Sequence, residues 1–98
     1  MFINIIKSYR YVVAVCDKEL IGRKFEEGKM QLDVKENFYK GEEKTPEEIG
    51  EMLIDMKLED ATFNIVGDKS VKIALEKGII TEEQIGEVQG VKFALVLI

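Results

Sequence analysis

The sequence predicts an α+β fold: a two-layer sandwich with a mixed, mainly antiparallel sheet of about five or six strands and two to three helices on one face. Three observations predict it. Two β-branched runs close together open the chain, Phe2–Lys7 and Tyr11–Cys16. A complete helix-start signal stands at Thr45-Pro46-Glu47-Glu48. A nearly unbroken apolar run, Phe93-Ala94-Leu95-Val96-Leu97-Ile98, ends the chain.

Phe2 to Lys7 reads as the first strand, and Ser8-Tyr9-Arg10 is too short to do more than reverse the chain. The runs on either side should therefore pair as an antiparallel hairpin. Asp17 offers an N-cap, and Lys18 to Phe25 can follow as a short helix with Leu20, Ile21 and Phe25 inward, weakened by Gly22. Lys29 to Val34 alternates apolar and polar, the period of a half-buried strand. Asn37 to Gly41 reads as a loop whose two aromatics pin it to the core.

Thr45 caps the next helix, Pro46 takes its first position and Glu48 closes a capping box. Ile49, Met52, Leu53 and Met56 form one apolar stripe, so this helix should reach about Lys57. Ala61 to Val66 is a strand, and Asp68 to Lys77 is a helix that faces inward with Val71, Ala74 and Leu75 and ends at Gly78. Thr81 to Gln84 is a second capping box with room for one turn. A closing hairpin around Gly90 joins Ile85–Gln89 to Val91–Ile98. The apolar content of the last run predicts an interior strand covered on both faces.

At 98 residues the chain is a single domain, residues 1–98, and 46% hydrophobic with 34% charged residues describes a soluble globular protein. The Lys- and Glu-rich composition resembles that of thermophile proteins. One cysteine, Cys16, permits no internal disulfide and suits a reducing, cytoplasmic compartment. No run has the length of a membrane span, and the apolar N-terminus lacks the flanks of a signal peptide.

The chain has no histidine, which removes the commonest general base and metal ligand. The pairs Glu42-Glu43, Glu47-Glu48 and Glu82-Glu83 lie at or before helix starts, where caps and solvation account for them. No catalytic residue, metal site or cofactor is expected. Cys16 reads as a buried, inert thiol; the alternative is a thiolate at the start of the Asp17 helix.

Two constellations are candidate sites. The first is the corner Asn64, Gly67, Asp68, Lys69, Ser70 and Lys72, where a helix N-terminus with a glycine and two lysines could hold a phosphate or carboxylate. Against it, only one glycine is present and Asp68 as N-cap would occupy the same N–H groups; the bland reading is a strand-to-helix corner. The second is a basic patch of Lys7, Tyr9, Arg10, Lys18, Arg23 and Lys24. Net charge is −5, yet residues 1–24 carry five basic and two acidic groups. Aromatics among basic residues stack bases and hold phosphates, so an RNA-facing surface is one reading and a hairpin turn with snorkelling side chains the other. The acidic total argues against nonspecific DNA binding.

The stretches Val13-Ala14-Val15-Cys16-Asp17 through Gly28, Asn64-Ile65-Val66-Gly67 through Val71, and Gly90-Val91 with the final strand resemble the archaeal family known as domain of unknown function 424. The matching positions are Cys16, Asp17, Leu20, Gly22, Phe25, Gly28, Asn64, Ile65, Val66 and Gly67. The resemblance implies an archaeal cytoplasmic protein with a two-layer α/β sandwich and no established activity. Asp17, Asn64 and Gly67 are where function is sought first, since packing explains them least. The expectation is a noncatalytic module that binds protein or RNA. The rivals are a small-molecule binder or enzyme at the Gly67 corner, and a homodimer joined through sheet edges.

Overall fold

The computed structural model describes residues 1–97; Ile98, expected to end the last strand, lies outside the described residues. A six-stranded mixed sheet organises the chain. Its strands are β1 (Phe2–Lys7), β2 (Tyr11–Cys16), β5 (Glu42–Glu43), β6 (Thr62–Val66), β7 (Ile85–Val88) and β8 (Val91–Val96), in the order β5-β1-β2-β6-β8-β7. All neighbours are antiparallel except the central pair β2 and β6, which run parallel with Cys16 opposite Val66.

Strand periodicity sorts the core into two. Ile3, Val13, Val15, Phe63, Ile65 and Ala94 point to the inner face, where α2 (Pro46–Leu58) and α3 (Asp68–Glu76) cover them with Ile49, Leu53, Val71 and Ala74. Phe2, Ala14, Cys16 and Val66 point to the outer face. Their cover is a detached hairpin, β3 (Lys24–Glu27) and β4 (Met30–Asp33), with the single turn α1 (Glu36–Tyr39). Leu20, Phe25, Val34 and Tyr39 complete this second core. The two long helices thus share one face, as expected, and the shortest lies on the other.

Helix α2 starts as the sequence dictates. The Thr45 hydroxyl accepts from Glu48 N at 3.2 Å, and the Glu48 carboxylate accepts from Thr45 N at 3.0 Å. Those hydrogen bonds hold the Glu48 carboxyl below its ordinary range. Thr81 N donates to Gln84 Oε1 at 2.8 Å, and a single 3-10 turn follows at Glu82–Gln84.

Three local expectations are corrected. Lys18 to Phe25 is not a helix: one 3-10 turn, Lys18–Leu20, is followed by Gly22 at φ +79. Left-handed backbone turns the chain out of any helix there. Gly22 N donates to Val34 O and Val34 N to Arg23 O, so the segment enters the β3–β4 hairpin, whose turn is Gly28-Lys29. Asn37 to Gly41 is not wholly loop, since Glu36–Tyr39 forms the turn α1. The last strand lies inside the sheet, between β6 and β7, but is not covered on both faces: Leu95 is half exposed, and Leu97, just beyond the strand, is 71% exposed. The outer-face cover stops short of them: α1 lies over β1 and β2, where Phe38 O accepts from Asn4 Nδ2 at 2.8 Å, and the β3–β4 hairpin lies against β7.

The hairpin is tied to the body by an unusual turn residue. Gln89 has φ +50, a conformation better suited to Asn or Gly. Its side-chain oxygen accepts from Glu26 N at 3.0 Å, and its own N–H donates to Glu27 Oε1 at 2.7 Å. Gln89→Gly should relieve the backbone and keep global stability within about 1 kcal/mol. Amide hydrogen exchange at Glu26 should nonetheless accelerate, and unchanged exchange there would show that the side chain does not anchor the hairpin.

Candidate functional site

Strands β2 and β6 end side by side, and the chain leaves them in opposite directions. After β2 it passes to the outer face through the 3-10 turn; after β6 it passes to the inner face as α3. The Cys16-Asp17 and Val66-Gly67 pairs meet at this divergence. Asp17 N donates to Val66 O at 3.1 Å, and Gly67 N to Lys92 O at 2.8 Å.

The Asp17 side chain, 3% exposed, turns under the first turn of α3. Its Oδ2 accepts from Lys69 N at 3.1 Å, and its Oδ1 accepts from Ser70 N at 2.9 Å and Ser70 Oγ at 2.7 Å. Ser70 is fully buried. A carboxylate in this place satisfies two orphan helix N–H groups and faces the positive end of the helix dipole. Asp17 therefore caps a helix more than fifty residues along the chain, not the one expected to follow it.

Gly67 makes the arrangement geometrically possible. It occupies the N-cap position with φ +107 and ψ 152, a region open in practice only to glycine. A Cβ there would lie 2.3 Å from Asp17 Cγ. Asp68 is the first residue of α3 rather than its cap.

The expected anion site is thereby altered. The N–H groups that would receive a phosphate already hold the protein's own carboxylate. The cleft outside this corner, about 210 Å³, is lined by Asp17, Glu19, Leu20, Gly67, Asp68, Lys69, Gly90 and Val91. Three carboxylates and one lysine line it, which disfavours an incoming anion. Asn64 stands apart, on the outer face between Ala14 and Leu95, whereas Lys72 lies on the exposed side of α3.

The basic residues separate into two groups. Lys7 ends β1, and Tyr9 and Arg10 follow in the β1–β2 turn, at one end of the sheet. Lys18, Arg23 and Lys24 follow β2 at the other, a strand length away. Within each group charges are engaged locally: Lys18 meets Glu43 at 3.1 Å, Lys24 meets Glu26 at 3.6 Å, and Arg10 donates to Asp60 O at 2.9 Å. Lys7 lies over the Tyr11 ring and Arg23 over that of Phe25. No single basic surface unites the six.

Cys16 is buried in the outer core, and its thiol is pushed up to about 12, first by burial and then by the neighbouring Asp17 charge. Burial likewise raises the Tyr39 phenol to about 12. Because both folded values lie above their ordinary ones, 9.0 and 10.0, their contribution is fully present below about pH 9. It is lost as pH rises toward 12, where the unfolded chain ionises first. The urea midpoint should therefore fall above about pH 9. A thiol-labelling disulfide reagent at neutral pH should modify Cys16 only as fast as the protein opens; immediate labelling of the folded protein would contradict this burial.

The sequence did not signal that Asp17 and Ser70 would meet, because neither lies in the other's local pattern. The exposed apolar groups at the hairpin end, Tyr9, Leu58 and Leu97, were not singled out as a group either. Together these features define a small α+β domain organised around an internally capped strand-to-helix corner. The chain belongs to the DUF424 family, described as a protein of unknown function, whose match spans residues 6–98. A search of the curated proteins finds no match. Among solved structures, an uncharacterized conserved protein from Methanopyrus kandleri is similar, with a TM-score of 0.84 and 24% identity over 97% of this chain and 88% of that one. That likeness is one of fold. Among the described residues no helix is long and apolar enough to cross a membrane.

Proposed function

We propose that this protein is a noncatalytic interaction module that docks a protein partner in a reducing, cytoplasmic compartment. The observation that carries the reading is that, among the described residues, the three most exposed large apolar side chains, Tyr9, Leu58 and Leu97, all lie at one end of the sheet, Leu58 on the helix side and Leu97 just beyond the last strand. Fully exposed Tyr9 occupies the β1–β2 turn, and Leu58, 81% exposed, ends α2 beside it. Arg10 joins the two elements through Asp60. Leu97, and Leu95 one row inward, follow the last strand to the same end. Large apolar side chains concentrated this way favour a protein surface as partner. The separation of the basic residues weighs against RNA, the other partner class, and the Asp17 carboxylate weighs against an anionic ligand at Gly67.

The test compares capture by the immobilised protein with capture by a Tyr9→Ser/Leu97→Ser variant of equal thermal stability. A stoichiometric protein partner lost with the variant supports the reading. Retention by structured RNA at moderate salt, or a thermal-midpoint rise with a nucleotide or sugar phosphate, would replace it.

A further inference from the structure

The two edges of the main sheet differ. Edge strand β7 is approached by the β3–β4 hairpin through Gln89, whereas β1 is flanked by only a two-residue strand. Strand β5 pairs with Phe2 and Ile3 alone, and Lys44 N donates to Met1 O at 2.9 Å. Antiparallel pairing alternates, so the residues of β1 that direct N–H and C=O toward this side share the parity of Met1: Ile3, Ile5 and Lys7. Ile5 and Lys7 lie beyond the end of β5. Among the described residues neither has a backbone partner on that side.

Helix α2 runs above this open segment. Its start is held near the beginning of β1 through Lys44 and Met1, and its end near the β1–β2 turn through Asp60 and Arg10. One flank of α2 faces α3: Lys57 Nζ donates to Gly78 O, and Gly50 abuts the Lys77 side chain. The opposite flank therefore overhangs the β1 edge. Helical spacing places Met52 and Met56 there, partly buried against the inner core, with Glu48, Asp55 and Glu59 outside them. Glu59 shares a cleft of about 290 Å³ with Lys7 and Tyr11 at the end of the edge.

We infer that the β1 edge at Ile5 and Lys7 accepts an extended segment of a partner protein that alternates apolar with basic residues. This rests on the interaction-module reading and names its chemistry. An added strand would complete the unpaired N–H and C=O groups of Ile5 and Lys7. Its inward side chains would lie under Met52 and Met56 and reach the acidic flank, which suits the apolar stems and cationic heads of lysine and arginine. Its outward side chains would extend the row begun by Val12 and Ile6, which suits valine or isoleucine. Lys7 offsets part of the negative rim, so the basic side chains belong toward Asp55. A second copy pairing through the same edge would set two acidic flanks against each other, with −5 on each chain.

The test uses two short model peptides, one alternating valine with lysine and one alternating valine with glutamate, titrated into the isotopically labelled protein. The basic peptide is expected to shift the amide signals of Ile5 and Lys7, slow their exchange, and bind at least about tenfold more tightly than the acidic one. Asp55→Lys should remove most of that preference without changing the thermal midpoint. Lys7→Pro, which deletes an outward N–H at a strand end where proline is tolerated, should abolish the slowed exchange. Equal binding of both peptides, or signal changes confined to Tyr9, Leu95 and Leu97, would overturn the assignment. So would a dimer that protects the same amides without any peptide. If no peptide engages Ile5 and Lys7 while the Tyr9/Leu97 variant still loses its partner, this edge site falls and the interaction-module reading stands.

Discussion

Asp17→Ala should destabilise the protein by about 3 kcal/mol in urea unfolding at neutral pH. The residue is nearly fully buried, and its carboxylate receives three hydrogen bonds from Lys69 and Ser70. Truncation leaves the buried Ser70 hydroxyl and N–H without their acceptor and removes the negative charge from the start of α3. Unpaired buried donors cost roughly 1–3 kcal/mol, and a lost N-cap costs roughly 0.5–2 kcal/mol. A domain of this size has roughly 5–15 kcal/mol in total, so the loss is a large share of it. The thermal midpoint should fall by roughly 10–20 °C. Asp17→Asn keeps the shape but turns one donor toward the backbone N–H groups, and should fall between the wild type and Asp17→Ala. A midpoint unchanged in Asp17→Ala would show that Ser70 and α3 do not depend on this carboxylate.

Gly67→Ala should be comparably severe, and for a reason that includes Asp17. Any L-residue at φ +107 and ψ 152 is strained, by about 1–3 kcal/mol. The added methyl would also sit 2.3 Å from the Asp17 carboxyl carbon, closer than atoms approach. The carboxylate must then move, and the cap on α3 goes with it. The expected total is about 3–5 kcal/mol. The contrast is Gly22→Ala, where φ is +79 but nothing lies within 4 Å of the new methyl; it should cost only backbone strain. A Gly67→Ala protein no less stable than Gly22→Ala would contradict the close approach.

Local signals carried much of the fold. Thr45-Pro46 with the stripe Ile49, Met52, Leu53 and Met56 specifies α2 through capping and periodicity alone, and the structure places it at Pro46–Leu58. The β1–β2 hairpin follows from a connection too short for anything else. The segment after Asp17 was less legible because a polar residue before Leu20 and Ile21 satisfies a helix-start pattern. What decides the outcome is Gly22 in left-handed backbone and the Gly28-Lys29 turn, which let Phe25 reach the outer core from a strand. Composition could not tell that Leu95 and Leu97 would stay exposed, since burial depends on where the hairpin cover ends.

The candidate site was legible in its parts and not in its joining. Asp17 and Gly67 stand out because packing does not account for them, and each belongs to a stretch that resembles the family. Their meeting depends on β2 and β6 being parallel neighbours, which arises from strand order and has no trace in either stretch. The anion-binding reading was sound about α3's free N–H groups. A carboxylate does occupy them, as expected, but it comes from Asp17 at the end of β2 rather than from Asp68, the neighbour in sequence. The basic patch grouped residues by proximity in the chain, whereas the six residues of β2 carry the two halves to opposite ends of the sheet.

A double-mutant cycle of Asp17→Ala and Gly67→Ala, followed by urea unfolding, tests this linkage most directly. With the carboxylate gone, the methyl at Gly67 has room, and its cost should shrink to backbone strain. The double variant should then be at least about 1 kcal/mol more stable than the two single losses summed. Losses that add to within about 0.5 kcal/mol would mean that the two residues act independently, and that the corner is not built around their contact.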